Sequence, residues 1–309
     1  MLLRILIIVS SILAGPSSYS QFRIIGYIHL NHSATVLDSI PFQKLTHLNI
    51  AFVNPDSTGT LIVPYAFDST IQIAKKYKIK VLASLGGGSF NPNFARLLNN
   101  ENRKMFVMKV VQLATDYQLD GIDVDIENDN LDTNYNKFIA DLAPELKKQK
   151  KLLTAAVATG TGERISSETL SLFDFVNVMS YDQTGPWKKE YPGPHSTYQK
   201  AVDDLAYWNN RGINRKRLNL GLPFYGYCFG TQYGESMSFK EISARFPAAV
   251  GLDQYRPPDG GTIYYNGIPT IQQKTLLAQR KAGGVMFWQL LQDGDGDNSL
   301  LNAILNRLR

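Results

Sequence analysis

The sequence predicts an α/β protein, a single (β/α)8 TIM barrel with a small insertion after the seventh strand. Three observations predict it. Eight short β-branched or apolar runs recur along the chain, each ending in polar or Gly residues and followed by a helical segment. The chain has 309 residues, and one such barrel takes about 250. No glycine fingerprint opens a helix after the first run, as an open nucleotide-binding sheet would require.

The eight runs are residues 23–27, 45–53, 80–85, 121–126, 152–158, 175–180, 218–223 and 284–289. Helical periodicity fills the gaps. Residues 101–117 carry Phe106, Val110, Leu113 and Tyr117 on one face, and 135–148 carry Phe138, Leu142 and Leu146. Residues 196–211 begin with Ser196 as a cap, and Gly212 follows their end. A helix is expected around 271–282, and a last one over 300–308, capped by Asn298 or Ser299. The insertion lies within about 227–270, where 262–267 read as a strand entering a tight turn.

Residues 1–20 read as a signal peptide, with Arg4 as its positive region, an apolar run over 5–14 and Ser18-Tyr19-Ser20 at the cleavage site. The mature barrel then spans 21–309 and is expected to be secreted, extracellular or periplasmic, and free of the membrane after cleavage. The apolar run is far short of the roughly 20 residues a membrane span needs. In a eukaryotic secretory pathway Asn31-His32-Ser33 would be a glycosylation triplet. The single cysteine, Cys228, excludes an internal disulfide and reads as a small buried hydrophobe.

With 44% hydrophobic and 19% charged residues, the composition is that of a globular domain and not of a disordered chain. The net charge of +5 comes from Lys and Arg scattered through helices, as in residues 147–151 and 215–217. That pattern reads as solvated helix ends and not as a nucleic-acid surface. A monomer is expected.

The most informative stretch is Asp120-Gly121-Ile122-Asp123-Val124-Asp125-Ile126-Glu127. Side chains alternate along a strand, so Asp123, Asp125 and Glu127 share one face and Ile122, Val124 and Ile126 the other. In a barrel the apolar face meets the helices. The acids then point inward and toward the C-terminal rim, where barrel active sites sit. Like charges crowded in a poorly solvated interior cannot all ionise, so at least one acid should hold a proton at neutral pH. A neutral carboxyl beside ionised neighbours is what general acid catalysis needs, and Glu127, longest and nearest the strand end, is the natural donor.

Metal readings compete weakly. Counted from Asp123, a calcium loop would want Gly and Glu where the chain has Asn128 and Asn134. Residues 293–297 are a second acidic run, read as a solvated loop before the last helix, with a calcium loop as the alternative. His29, His32, His47 and His195 form no zinc-like pattern, and no metal or other cofactor is expected. Tyr27, Phe52 and Tyr225 end strands and are candidates to line the cleft, as is Trp187 in the loop after the sixth strand.

At these residues the sequence resembles glycoside hydrolase family 18, the chitinases and endo-β-N-acetylglucosaminidases. The family's Asp-x-x-Asp-x-Asp-x-Glu motif is matched at Asp120, Asp123, Asp125 and Glu127. Ser84-Leu85-Gly86-Gly87 resembles its third strand, Met179-Ser180-Tyr181-Asp182 its sixth, residues 220–226 its seventh and 283–288, ending in Trp288, its eighth. Gly88 and Asn128 depart from the pattern, since many members carry aromatics there.

The resemblance implies substrate-assisted, retaining hydrolysis of β-1,4 bonds in N-acetylglucosamine polymers, chitin or chito-oligosaccharides. Glu127 would be the acid and then the base, Asp125 the partner of the substrate's acetamido group, and Asp123 the residue controlling Asp125. Tyr181 would orient the acetamido oxygen. Trp288 would floor the sugar site, with Met179, Asp182 and Gly87 as further contacts. Two alternatives remain open: an endoglycosidase acting on the chitobiose core of N-glycans, and a chitin-binding lectin without turnover.

Overall fold

The computed structural model describes residues 22–30, 37 and 40–308. The predicted signal segment and the Asn31-His32-Ser33 triplet lie outside them.

Eight parallel strands form a closed barrel: Arg23–His29, His47–Ala51, Lys80–Gly87, Gly121–Ile126, Leu152–Val157, Phe175–Val178, Leu218–Pro223 and Gly284–Trp288. Each pairs with its neighbours in sequence, and the eighth closes on the first, with Arg23 opposite Gly284 and Gly26 opposite Phe287. The expected order of strands is therefore the observed one, and the fold is a (β/α)8 TIM barrel.

The fourth strand shows why the barrel closes as it does. Ile122, Val124 and Ile126 are buried in the layer between sheet and helices, with Phe106, Val110 and Phe138. Burying each such side chain contributes about 1.5–3 kcal/mol, which offsets the cost of turning Asp123 and Asp125 inward. A second cluster inside the barrel joins Ile25, Tyr27, Tyr181, Tyr225 and Met286, with Phe52 and Trp288 packed at its upper edge.

The insertion is a small antiparallel sheet of Ser236–Ser238, Tyr225–Phe229, Thr262–Tyr264 and Gln254–Tyr255, in that order, with helix Phe239–Arg245. A reciprocal capping box between Ser238 and Glu241 starts that helix. Cys228 is buried and unpaired in this sheet.

Three local expectations are corrected. No tight turn follows Thr262–Tyr264; Gly267 is instead the N-cap of helix Ile268–Lys281. Thr197, not Ser196, caps helix Tyr198–Asn210 by accepting from the Lys200 N–H at 3.0 Å. Nor does the acidic run 293–297 begin as a solvated loop. Asp293 Oδ1 accepts from the Leu300 N–H at 2.6 Å and its Oδ2 from the Ser299 hydroxyl at 2.7 Å, so Asp293 is the start of the last helix's cap. Burial pushes that carboxyl up to about 6.

Candidate active site

Asp123 lies at the centre of the barrel interior and is fully buried. Its Oδ2 accepts from the Tyr27 hydroxyl at 2.6 Å and the Ser84 hydroxyl at 2.8 Å. Its Oδ1 accepts from the Thr154 hydroxyl at 2.6 Å and the Asn177 amide at 3.3 Å. Ser84 and Thr154 face Asp123 because the third, fourth and fifth strands align these residues side by side in register. Burial raises the Asp123 carboxyl, and the four donors pull it back down.

Asp125 sits one inward position higher and is also buried, and its Oδ1 has no hydrogen-bond partner. Burial, then the charges of Glu127 and Asp123, push its carboxyl well above the usual range. Asp125 therefore favours its protonated form. Glu127 follows the strand with extended backbone and is raised to about 7, chiefly by burial and then by the charge of Asp182. The row thus carries three raised carboxyls: Asp123 held back by its donors, Asp125 well above the usual range, and Glu127 poised near neutral pH.

Two adjoining cavities flank Glu127. The first, about 310 Å³, is lined by Tyr27, Phe52, Asp125, Tyr225 and Trp288, among others. The second, about 510 Å³, extends past Asn128 and Ala158 to Trp187. Both share Gly88, Glu127, Met179, Tyr181 and Asp182, so these five mark the junction. A cavity of about 540 Å³ elsewhere, on the outer face between two helices, has no carboxylate in its lining.

Trp288 and Phe52 stack with centroids 5.4 Å apart and planes at 17°, giving the first cavity an aromatic wall. Tyr27 reaches the same wall, 5.9 Å from Trp288, while its hydroxyl serves Asp123. Tyr181 is buried among carboxylates that, with desolvation, keep its hydroxyl protonated. Asp182 takes a left-handed backbone, φ 59°, and accepts from the Tyr225 hydroxyl at 2.5 Å. Strain of this kind in a non-glycine residue persists only where neighbours fix it.

One expected contact is placed differently. Gly87 lines neither cavity. At φ 97° it lies under Phe52, and a Cβ there would meet the ring at 2.7 Å. It supports the aromatic wall instead of touching the cleft. Sequence reasoning also missed Tyr227, Ser236 and Gln292 in the first cavity, and Thr154 and Asn177 beside Asp123. The two departures from the family pattern meet in space: the Asn128 amide donates to the Gly88 carbonyl at 3.2 Å. Among the described residues no group of His, Cys, Asp and Glu side chains is arranged to hold a metal.

A closed parallel barrel whose fourth strand raises a proton-bearing acid beside an aromatic wall has the form of a barrel glycoside hydrolase. The chain belongs to glycosyl hydrolases family 18, whose model matches residues 23–293. It is similar to the chitinase ChiB from the chitin utilization locus of Flavobacterium johnsoniae, with a TM-score of 0.86 and 37% identity over 93% of this chain and 94% of that one. It is also similar to a chitinase from Bacteroides thetaiotaomicron, with a TM-score of 0.81 and 28% identity over 92% and 96%. Among curated sequences, Chitinase 1 of Aphanocladium album is 24% identical over 85% of this chain and 79% of that protein.

Proposed function

We propose that this protein hydrolyses β-1,4 bonds between N-acetylglucosamine residues of chitin or chito-oligosaccharides, with retention and with help from the substrate's own acetamido group. The observation that carries the reading is the contrast within one strand: Asp123 satisfied by four donors, Asp125 neutral with an unpartnered oxygen, and Glu127 raised to about 7. The chitinase names of the similar structures support the substrate class.

The sugar to be cleaved stacks on Trp288 in the first cavity, and the leaving group occupies the second, toward Trp187. Glu127 gives its proton to the glycosidic oxygen as the bond to the anomeric carbon breaks. The acetamido carbonyl oxygen attacks that carbon and forms an oxazolinium ion. Asp125 accepts the acetamido N–H at its unpartnered Oδ1 and so holds the group in place for attack. Asp123, two residues away on the same face, sets the charge state of Asp125. Tyr181 donates its hydroxyl to the acetamido oxygen and holds it on line for attack. Asp182 and Met179 border the sugar at the junction. The carboxylate of Glu127 then takes a proton from water as the water oxygen bonds to the anomeric carbon, and the oxazolinium C–O bond breaks to restore the acetamido carbonyl with net retention. The same reading includes export through residues 1–20 and action outside the cytoplasm.

Turnover of chitotetraose and of a high-mannose glycopeptide by wild type and Glu127→Gln tests this. Wild type is expected to cleave chitotetraose. The variant should lose about 10²–10⁴-fold in kcat, the usual share of a general acid, while still binding chitotriose. Cleavage of the glycopeptide alone would move the substrate to N-glycans. Binding of chitotetraose without turnover by wild type would make the protein a lectin.

A further inference from the structure

Behind the junction lies a buried cation that the mechanism does not use. Lys274, on helix Ile268–Lys281, has no exposed surface. Its Nζ donates three hydrogen bonds of 2.7 Å, to the Ser196 carbonyl, the Ser196 hydroxyl and the Asn266 amide oxygen. Among the described residues no carboxylate forms an ion pair with it. A buried ammonium without a direct ion pair is costly, and burial lowers its pKa to about 7 against the opposing charges of Asp253 and Asp204. A methionine of the same length would remove the buried charge at the cost of one unpaired acceptor, the Asn266 amide oxygen, so stability alone does not account for the lysine.

The bonds continue toward the site. The Ser196 hydroxyl donates to the Ser180 carbonyl at 2.6 Å, directly before Tyr181. The His195 carbonyl accepts from the Gln183 N–H at 3.1 Å, directly after Asp182. His195 Nδ1 stands 3.3 Å from Asp182 Oδ1. The segments 180–183 and 195–196 are thus stitched together on both sides of Tyr181 and Asp182, and Lys274 grips the inner segment.

The geometry points to Lys274 as a positioning residue: through Ser196 it holds the Tyr181–Asp182 pair at the junction of the two cavities. This rests on the hydrolase reading above, since both residues border the bond to be cleaved. Lys274 touches no substrate and acts only through the peptide it fixes. Its loss should therefore lower kcat with little change in KM or in thermal stability.

The test is a double-mutant cycle of Lys274→Met and Ser196→Ala on chitotetraose, with Tm measured for every variant. Each single variant should lose about tenfold in kcat, with KM within about twofold and, below pH 7, no lower Tm for Lys274→Met. Because both cut the same link, the double variant should be no worse than the poorer single one, where independent effects would multiply to about a hundredfold. An unchanged kcat, a multiplied loss, or a loss that follows a fall in Tm would overturn the assignment. If Lys274→Met does not fold, an unchanged kcat in Ser196→Ala overturns it as well. Normal wild-type turnover with such results leaves the hydrolase reading standing, whereas an inactive wild type overturns both.

Discussion

Asp123 and Asp125 lie two residues apart on one face of one strand, yet Asp123 accepts from four side-chain donors and Asp125 Oδ1 from none. The difference decides their chemistry. Donors aimed at Asp123 stabilise its anion, and that anion in turn disfavours ionisation of Asp125. Two identical side chains so acquire different proton affinities from their surroundings alone.

Tyr27→Phe removes one of the two donors that lie 2.6 Å from Asp123. A hydrogen bond to a charged group is worth about 1.5–3 kcal/mol, and its loss moves proton affinity from Asp125 toward Asp123. A drop in kcat of about tenfold or more is expected, with the fold retained. Steady-state kinetics beside a circular dichroism spectrum checks this, and unchanged kcat would break the link between the two acids.

Glu127 must be protonated to act, and its pKa stands at about 7. Activity on chitotetraose should therefore fall as pH rises through neutrality. Burial is the first cause of the shift and the charge of Asp182 the second. Asp182→Asn removes the second, so the alkaline limb of its kcat/KM profile should move to lower pH. A limb at the wild-type position would show that Asp182 does not act on Glu127.

The same shift has a consequence for stability. A folded-state pKa of about 7 against an ordinary 4.5 means that the folded protein binds more protons than the unfolded chain between those values. Stability from this group is full below 4.5 and is lost as pH rises to about 7. Glu127→Gln escapes that loss. Its Tm should exceed that of wild type at pH 8, by up to the order of 3 kcal/mol in stability, and the excess should vanish at pH 4. Thermal melts at both pH values decide it.

Gly87→Ala tests the support of the aromatic wall. The new methyl would strain a backbone at φ 97° and collide with Phe52. A cost of about 1–3 kcal/mol in stability is expected, together with a rise in KM of several-fold as Phe52 and Trp288 shift. An unaffected KM in a destabilised variant would separate Gly87 from the sugar site.

Most of the barrel was legible because its strands carry their own signal. Apolar runs are found at all eight positions; the second and sixth run two residues too far at one or both ends, where His47–Ala51 and Phe175–Val178 are paired, and the fifth and eighth one residue too far, past Val157 and Trp288. The short helices Asn93–Leu97 and Ser167–Leu172 escaped notice, because five or six residues hold too few turns to show a period. The acid row was legible from alternation within one strand. Thr154 and Asn177 were not, because they meet Asp123 only through lateral strand register and barrel closure. Ser196 was misread for a related reason: its hydroxyl is turned inward to Ser180 and Lys274, a pairing across 78 residues that no local cap rule contains.

Pairing of the first strand with the last has one more result. Tyr27 is contributed by the opening strand, yet that strand gains its second neighbour only when residues near 284 are in place. The seam that closes the cylinder and the seam that completes the sugar site are therefore one and the same, so loosening the pairing of residues 23–26 with 284–287 would disturb both at once.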